Sequence, residues 1–216
     1  TDMGVNMAGF AITDDDACCE ASRQEIIRRY YQAKVAVRQG LSDGSDVNKL
    51  ELLLNKSGIE ISDRRCIGAA LVRADQTGGS AVALELPDGR MVTGKTTDLL
   101  GPASAALLNA LKVLAGIDHE IPLISPNVIE PIQDLKVNHM GNHNPRLHTD
   151  ETLIALTISA QTNPVAELAM QQIGKLANSD AHSTVILSNV DENMMHKLGI
   201  NITCEPNYET KKLYHK

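Results

Sequence analysis

Residues 88–114 read DGRMVTGKTTDLLGPASAALLNALKVL, and the interpretation of this stretch decides the class of the chain. Gly89 to Thr96 matches the phosphate-loop pattern G-x-x-x-x-G-K-[ST] letter for letter. A working phosphate loop follows a buried parallel strand, and its variable residues make a glycine-rich turn whose N–H groups hold phosphate. Here the variable residues are Arg90, Met91, Val92 and Thr93, a strand composition, and Pro87-Asp88-Gly89 is a tight-turn sequence. Gly101-Pro102 also delays the helix that a phosphate loop would need near Lys95. The stretch therefore predicts a hairpin, a polar loop and a helix from Pro102 with small and apolar residues at 3.6-residue spacing. The loop carries Lys95, Thr96 and Asp98, in a strand-to-helix position where ligand groups are common.

Upstream, the pattern predicts helices over 17–39, 46–55 and 62–77, closed by Gly40, Gly58 and Gly78-Gly79. These define a small helical subdomain, 1–78, entered through an extended segment over 1–13. Downstream, 79–216 alternates: strands at 80–86, 90–93, 121–124, 183–187 and 201–204, and helices at 102–114, 126–137, 149–160, 164–176 and 192–198. The expected architecture is α+β or α/β: a helical subdomain followed by a three-layer αβα domain with a mixed sheet. The opening β-β-α-β-α order resembles the cytidine deaminase-like topology. In that fold zinc ligands stand at the helix starts, here 101–104 and 125–128. Neither H-x-E nor P-C-x-x-C occurs, so no zinc signature accompanies the likeness.

Composition narrows the function classes. The net charge of −7 works against non-specific binding to nucleic acid or anionic membranes. One Phe, four Tyr and no Trp leave little aromatic surface for base stacking. No apolar run reaches the length of a membrane span. The four cysteines, Cys18, Cys19, Cys66 and Cys204, have no C-x-x-C spacing and suit reduced thiols in a cytoplasm.

Several clusters carry chemistry. Ser125 and Asn127 open the helix at 126. Arg146, His148 and Asp150, with Glu151, place a guanidinium, an imidazole and two carboxylates around another helix start, suited to an anion or to acid–base work. The competing reading is capping plus an ion pair. His139, His143 and His148 lack a continuous helix for metal ligation, because Gly141 interrupts them. His182 cannot activate Ser183, since adjacent strand residues face opposite ways, but it stands at a strand start and can line a site. Ser188 follows the same strand, at the carboxyl end where ligands of open sheets bind.

Long ordered strings, among them TDMGVNMAGFAI, SRQEIIRRYYQ, LISPNVIEPIQDLK, NPRLHTDETLIALTISA, DAHSTVILS and LGINITCEP, resemble the bacterial domain-of-unknown-function family 1846. The likeness runs through nearly the whole chain to the KKLYHK ending. It implies the C-terminal portion of a protein roughly twice as long, whose other part carries a phosphate-loop-like segment. It supplies no reaction, cofactor or catalytic residue. Two functions are therefore expected: an enzyme domain for a small anionic or nucleotide-like metabolite, or a structural module that assembles a homo-oligomer through the 1–78 helices.

Overall fold

The hairpin read from the 88–114 stretch forms in the computed structural model, which describes residues 14–209. The expected extended entry at 1–13 and the basic ending at 211–216 lie outside the described residues. β1 (Ala81–Glu85) and β2 (Met91–Lys95) pair antiparallel, from Ala81 opposite Lys95 to Glu85 opposite Met91. Gly89 turns the chain at φ +82°, a left-handed value that L side chains resist. The string from Gly89 to Thr96 is therefore a turn and an antiparallel strand, without the loop-to-helix amides that hold phosphate.

Alternation sorts the hairpin into two faces. Val82, Leu84 and Val92 share a face with Gly94, and α4 (Pro102–Ala115) crosses it at very short range. A Cβ on Gly94 would stand 2.0 Å from the Ala106 nitrogen. The buried alanines Ala103, Ala106 and Ala110 permit that approach. The opposite face carries Ala83, which packs with Cys66 and Ala70 of α3 (Arg65–Thr77).

The four strands run in the order β2-β1-β3-β4. β1 is antiparallel to β2 and to β3 (Asp180–Ser183), while β3 is parallel to β4 (Asn201–Cys204). Hence β2, β3 and β4 all end at the edge where β1 begins. Between α4 and β3 come α5 (Pro126–Asp134), a π turn (Leu135–His139), α6 (Thr149–Ala160), α7 (Pro164–Met170) and a 3-10 turn (Ile173–Leu176). α8 (Asn189–Lys197) links β3 to β4. The described fold is thus mixed α/β, with an open four-stranded mixed sheet and eight α-helices.

Two strand expectations change. The strand at 121–124 does not form: Pro122 offers no ladder N–H, and Leu123 and Ile124 are buried in a loop instead. Apolar content alone does not distinguish a buried loop from a buried strand. The strand placed at 183–187 pairs earlier, over Asp180–Ser183, after which the Thr184 hydroxyl accepts the Ala81 N–H at 3.0 Å. By packing, the chain divides into compact units Thr1–Arg64 and Arg65–Lys216, whereas the sequence places a boundary at Gly78-Gly79. α3 goes with the sheet because Cys66, Ile67 and Ala70 make its buried stripe. The first unit retains α1 (Asp15–Arg38), α2 (Ser45–Ser57) and a 3-10 turn (Ile61–Asp63). Tyr30 and Tyr31 of α1 meet edge to face at 5.6 Å, and the Tyr30 hydroxyl donates to Glu51 at 3.1 Å.

Candidate functional site

Loops from the carboxyl ends of β2, β3 and β4 gather at one edge of the sheet, the position where open α/β folds bind ligands. The 146–148 segment joins them from α6. Leu147 takes its place by donating its N–H to Leu99 O at 3.0 Å and forming a parallel bridge to Leu100. Its carbonyl accepts from Ser104 Oγ at 3.0 Å and from Gly101 N–H at 3.3 Å. The starts of α4 and α6 are thereby tied together.

A second tie joins α6 to α8 through Asp191. Its Oδ1 accepts the Thr149 N–H at 2.8 Å, and its Oδ2 lies 2.9 Å from His148 Nδ1. Ser188, the cap of α8, donates its hydroxyl to the same Oδ2 at 2.7 Å and accepts the Asp191 N–H at 3.2 Å. Burial raises the Asp191 pKa, but the bonds from His148, Ser188 and Thr149 outweigh it and hold the carboxyl below its ordinary range. His148 responds in the opposite sense. The Asp191 bond raises its pKa against the pull of burial. With Nδ1 held by a carboxylate, the remaining nitrogen, Nε2, makes no hydrogen bond among the described residues. An imidazole oriented in this way suits proton transfer at Nε2.

The floor beneath His148 is a second ionic layer. Lys136, 2% exposed, donates to Arg146 O at 2.7 Å and to Glu151 Oε2 at 2.6 Å. Glu151 Oε2 also accepts the His148 N–H at 2.8 Å. Arg146 reaches Glu209 at 3.1 Å, and Ser80 donates to the same Glu209 oxygen at 2.6 Å. The guanidinium is therefore already matched by a carboxylate.

The nine residues nominated by sequence fall into separate places. Arg146, His148 and Asp150 share the start of α6, where Asp150 Oδ1 accepts the Glu151 N–H at 2.8 Å. Lys95 borders a different cleft, at the outer edge of β2. Thr96 donates its N–H to Ser80 O at 2.8 Å and buries a hydroxyl without a partner among the described residues. Asp98 keeps an exposed carboxylate while its carbonyl accepts from Gln133 at 2.9 Å. Ser125 caps α5, accepting the Asn127 N–H at 3.3 Å, and both residues are exposed. His182 is fully buried, with Nδ1 2.8 Å from Thr203 Oγ1 and Nε2 3.4 Å from Glu205. It serves the sheet interior. Ser183 donates to Val185 O at 2.7 Å, within its own loop.

Asp191, Lys136 and Glu209 were not nominated. Ser188-Asn189-Val190-Asp191 has the spacing of a helix start with an acid at the third position, a signal that the expected helix start at 192 passes over. Of the histidines considered for a metal, His139 lies 3.9 Å from Asp134. Among the described residues no group of three or more His, Cys, Asp or Glu side chains is placed to hold an ion. Burial raises the Cys204 thiol to about 12, which keeps it protonated and unsuited to nucleophilic attack.

Residues 62–214 match the family model described as domain of unknown function DUF1846, C-terminal, and residues 1–58 match its N-terminal counterpart. A UPF0371 protein of Streptococcus thermophilus (strain ATCC BAA-250 / LMG 18311) is 55% identical over all 216 residues, which cover 44% of that relative. UPF0371 proteins of Streptococcus pneumoniae (strain JJA) and Streptococcus pyogenes (strain Manfredo) are 53% and 54% identical over the same span and share. The chain thus spans less than half the length of these relatives.

Proposed function

Because the chain belongs to the family of domain of unknown function DUF1846, which brings no reaction with it, we propose a function from the site alone. In this reading the second unit binds a small anionic metabolite, of nucleotide-like or simpler kind, at the carboxyl edge of its sheet. His148 is the acid–base group, oriented by Asp191 and Ser188. One observation carries the reading: a buried carboxylate fixes Nδ1 of His148 and leaves Nε2 unbonded where two helix N-termini meet. His148 is also the N-cap of α6, in a capping box with Glu151, so the acid–base role is read from its contact with Asp191 and not from the cap. The enzyme as a whole would draw on the longer protein that the relatives represent.

The test is a thermal-shift screen of phosphorylated and carboxylated metabolites against the chain and its His148→Ala and Arg146→Ala variants. A ligand-dependent rise that His148→Ala abolishes supports the proposal. An identical rise in both variants removes the site.

A second reading, assembly into a homo-oligomer through the first unit, is supported by exposed leucines. Leu41, Leu52 and Leu53 are 78%, 59% and 42% exposed. Light scattering on the Leu52→Asp variant checks it, since an unchanged mass would count against that surface. Cytoplasmic residence without nucleic-acid or membrane partners belongs to the same proposal. It is supported by the charge of −7, and no described helix is long and apolar enough to cross a membrane. A deaminase-like ancestry for the sheet also remains a proposal. It is supported by the β-β-α opening, while the third strand enters only at Asp180.

A further inference from the structure

A cleft of about 380 Å³ lies at the outer edge of β2, between α4, the start of α5 and the 119–124 loop. Its wall is mainly aliphatic, with Leu99, Leu100, Leu108, Leu123 and Ile129 facing one another across it. Three cations, Arg73, Lys95 and Lys112, also line it, and no carboxylate does. In a chain with a net charge of −7 such a lining runs against the average surface.

Among the described residues none of these cations makes an ion pair with a carboxylate. The Nε atom of Arg73 is buried and has no hydrogen-bond partner among the described residues. Lys112, 9% exposed, donates to the carbonyl of His119 at 2.7 Å, a neutral acceptor. Burial lowers its pKa, opposed by the more distant charges of Glu120 and Asp118. Lys95 is exposed at the end of β2 and makes no ion pair among the described residues. A guanidinium and two ammonium groups on a cleft lined by no carboxylate can give charge-assisted hydrogen bonds to an anionic oxygen. The aliphatic wall would meanwhile take hydrocarbon out of water.

We propose that this cleft binds a small amphipathic anion: an aliphatic body against the leucines and one anionic head between Arg73 and Lys95. The site is distinct from the His148 centre and does not depend on it. Leu99 and Leu100 separate the two, since their side chains line the cleft while the Leu99 carbonyl holds Leu147, next to His148.

Calorimetry on the 216-residue chain tests the proposal with three probes: octanoate, 1-octanol and inorganic phosphate. Octanoate is expected to bind saturably, about tenfold or more tighter than either of the others, because only it offers both body and head. Arg73→Gln and Lys95→Gln should each weaken octanoate about tenfold and leave 1-octanol unchanged, which also verifies that the variants keep the cleft. Equal affinity for octanoate and 1-octanol, phosphate as tight as octanoate, no octanoate binding, or variants indistinguishable from the parent chain would each overturn it.

Discussion

His148 Nδ1 stands 2.9 Å from Oδ2 of Asp191, 43 positions further along the chain and in the first turn of α8. The same carboxylate accepts the first N–H of α6 from Thr149. One side chain therefore orients the imidazole and joins two helix starts.

This relationship fixes a pH dependence. The His148 pKa is raised above its ordinary 6.5, so its stabilisation is complete below 6.5 and is lost as pH rises through the raised value. The Asp191 pKa is lowered from its ordinary 3.8, so its stabilisation is complete above 3.8 and is lost as pH falls through the lowered value. Both contributions are whole between pH 3.8 and 6.5. Urea titrations of the parent chain and Asp191→Asn across pH should show their largest stability difference inside that window. A difference that is flat with pH would contradict the assignment.

Lys136 supports a second expectation. Lys136→Met strands the Glu151 carboxylate and the Arg146 carbonyl that its ammonium now satisfies. The loss should be about 3 kcal/mol, the usual cost of breaking a buried pair from one side. Glu151→Gln should cost at least as much, because it leaves the more deeply buried charge, the Lys136 ammonium, with only neutral acceptors. Denaturant midpoints of the two variants check the order.

The hairpin and α4 give a steric prediction. Gly94→Ala puts a methyl group 2.0 Å from the Ala106 nitrogen, a distance no relaxation of side chains can relieve. The variant should lose about 3 kcal/mol or more, at the severe end of overpacking. Gly68→Ala, in α3 with open space around the new methyl, should instead stabilise by about 0.5–1 kcal/mol. Circular dichroism melts of the two variants should shift in opposite directions.

Local chemistry made much of this fold legible. Asp88-Gly89 between apolar alternations marks a hairpin, and Pro102 followed by spaced alanines marks a helix that packs closely. The 121–124 segment misled because Leu123 and Ile124 are buried without belonging to a ladder. Gly78-Gly79 and the division by packing mark different things. Glycines mark where a helix ends, whereas a domain ends where packing does, and α3 is packed against the sheet.

The candidate site was half legible. Arg146, His148 and Asp150 are close in sequence and sit around one helix start, so a local reading finds them. Asp191 and Glu209 reach the same region from far along the chain, and Lys136 looks like any surface lysine until the fold buries it. Conversely, His182 has the residue type and strand position of a site group, yet it lies wholly inside the sheet. Burial is a tertiary property, and spacing along the chain does not encode it.

The most direct test of the account is a nitrogen-15 NMR titration of the histidine side chains, with His148 assigned by His148→Gln, run with and without inorganic phosphate. The account predicts that His148 titrates at Nε2 with a pKa above 6.5, that Asp191→Asn brings it down, and that phosphate raises it saturably. A His148 resonance with an unraised pKa that does not respond to phosphate would contradict the central claim.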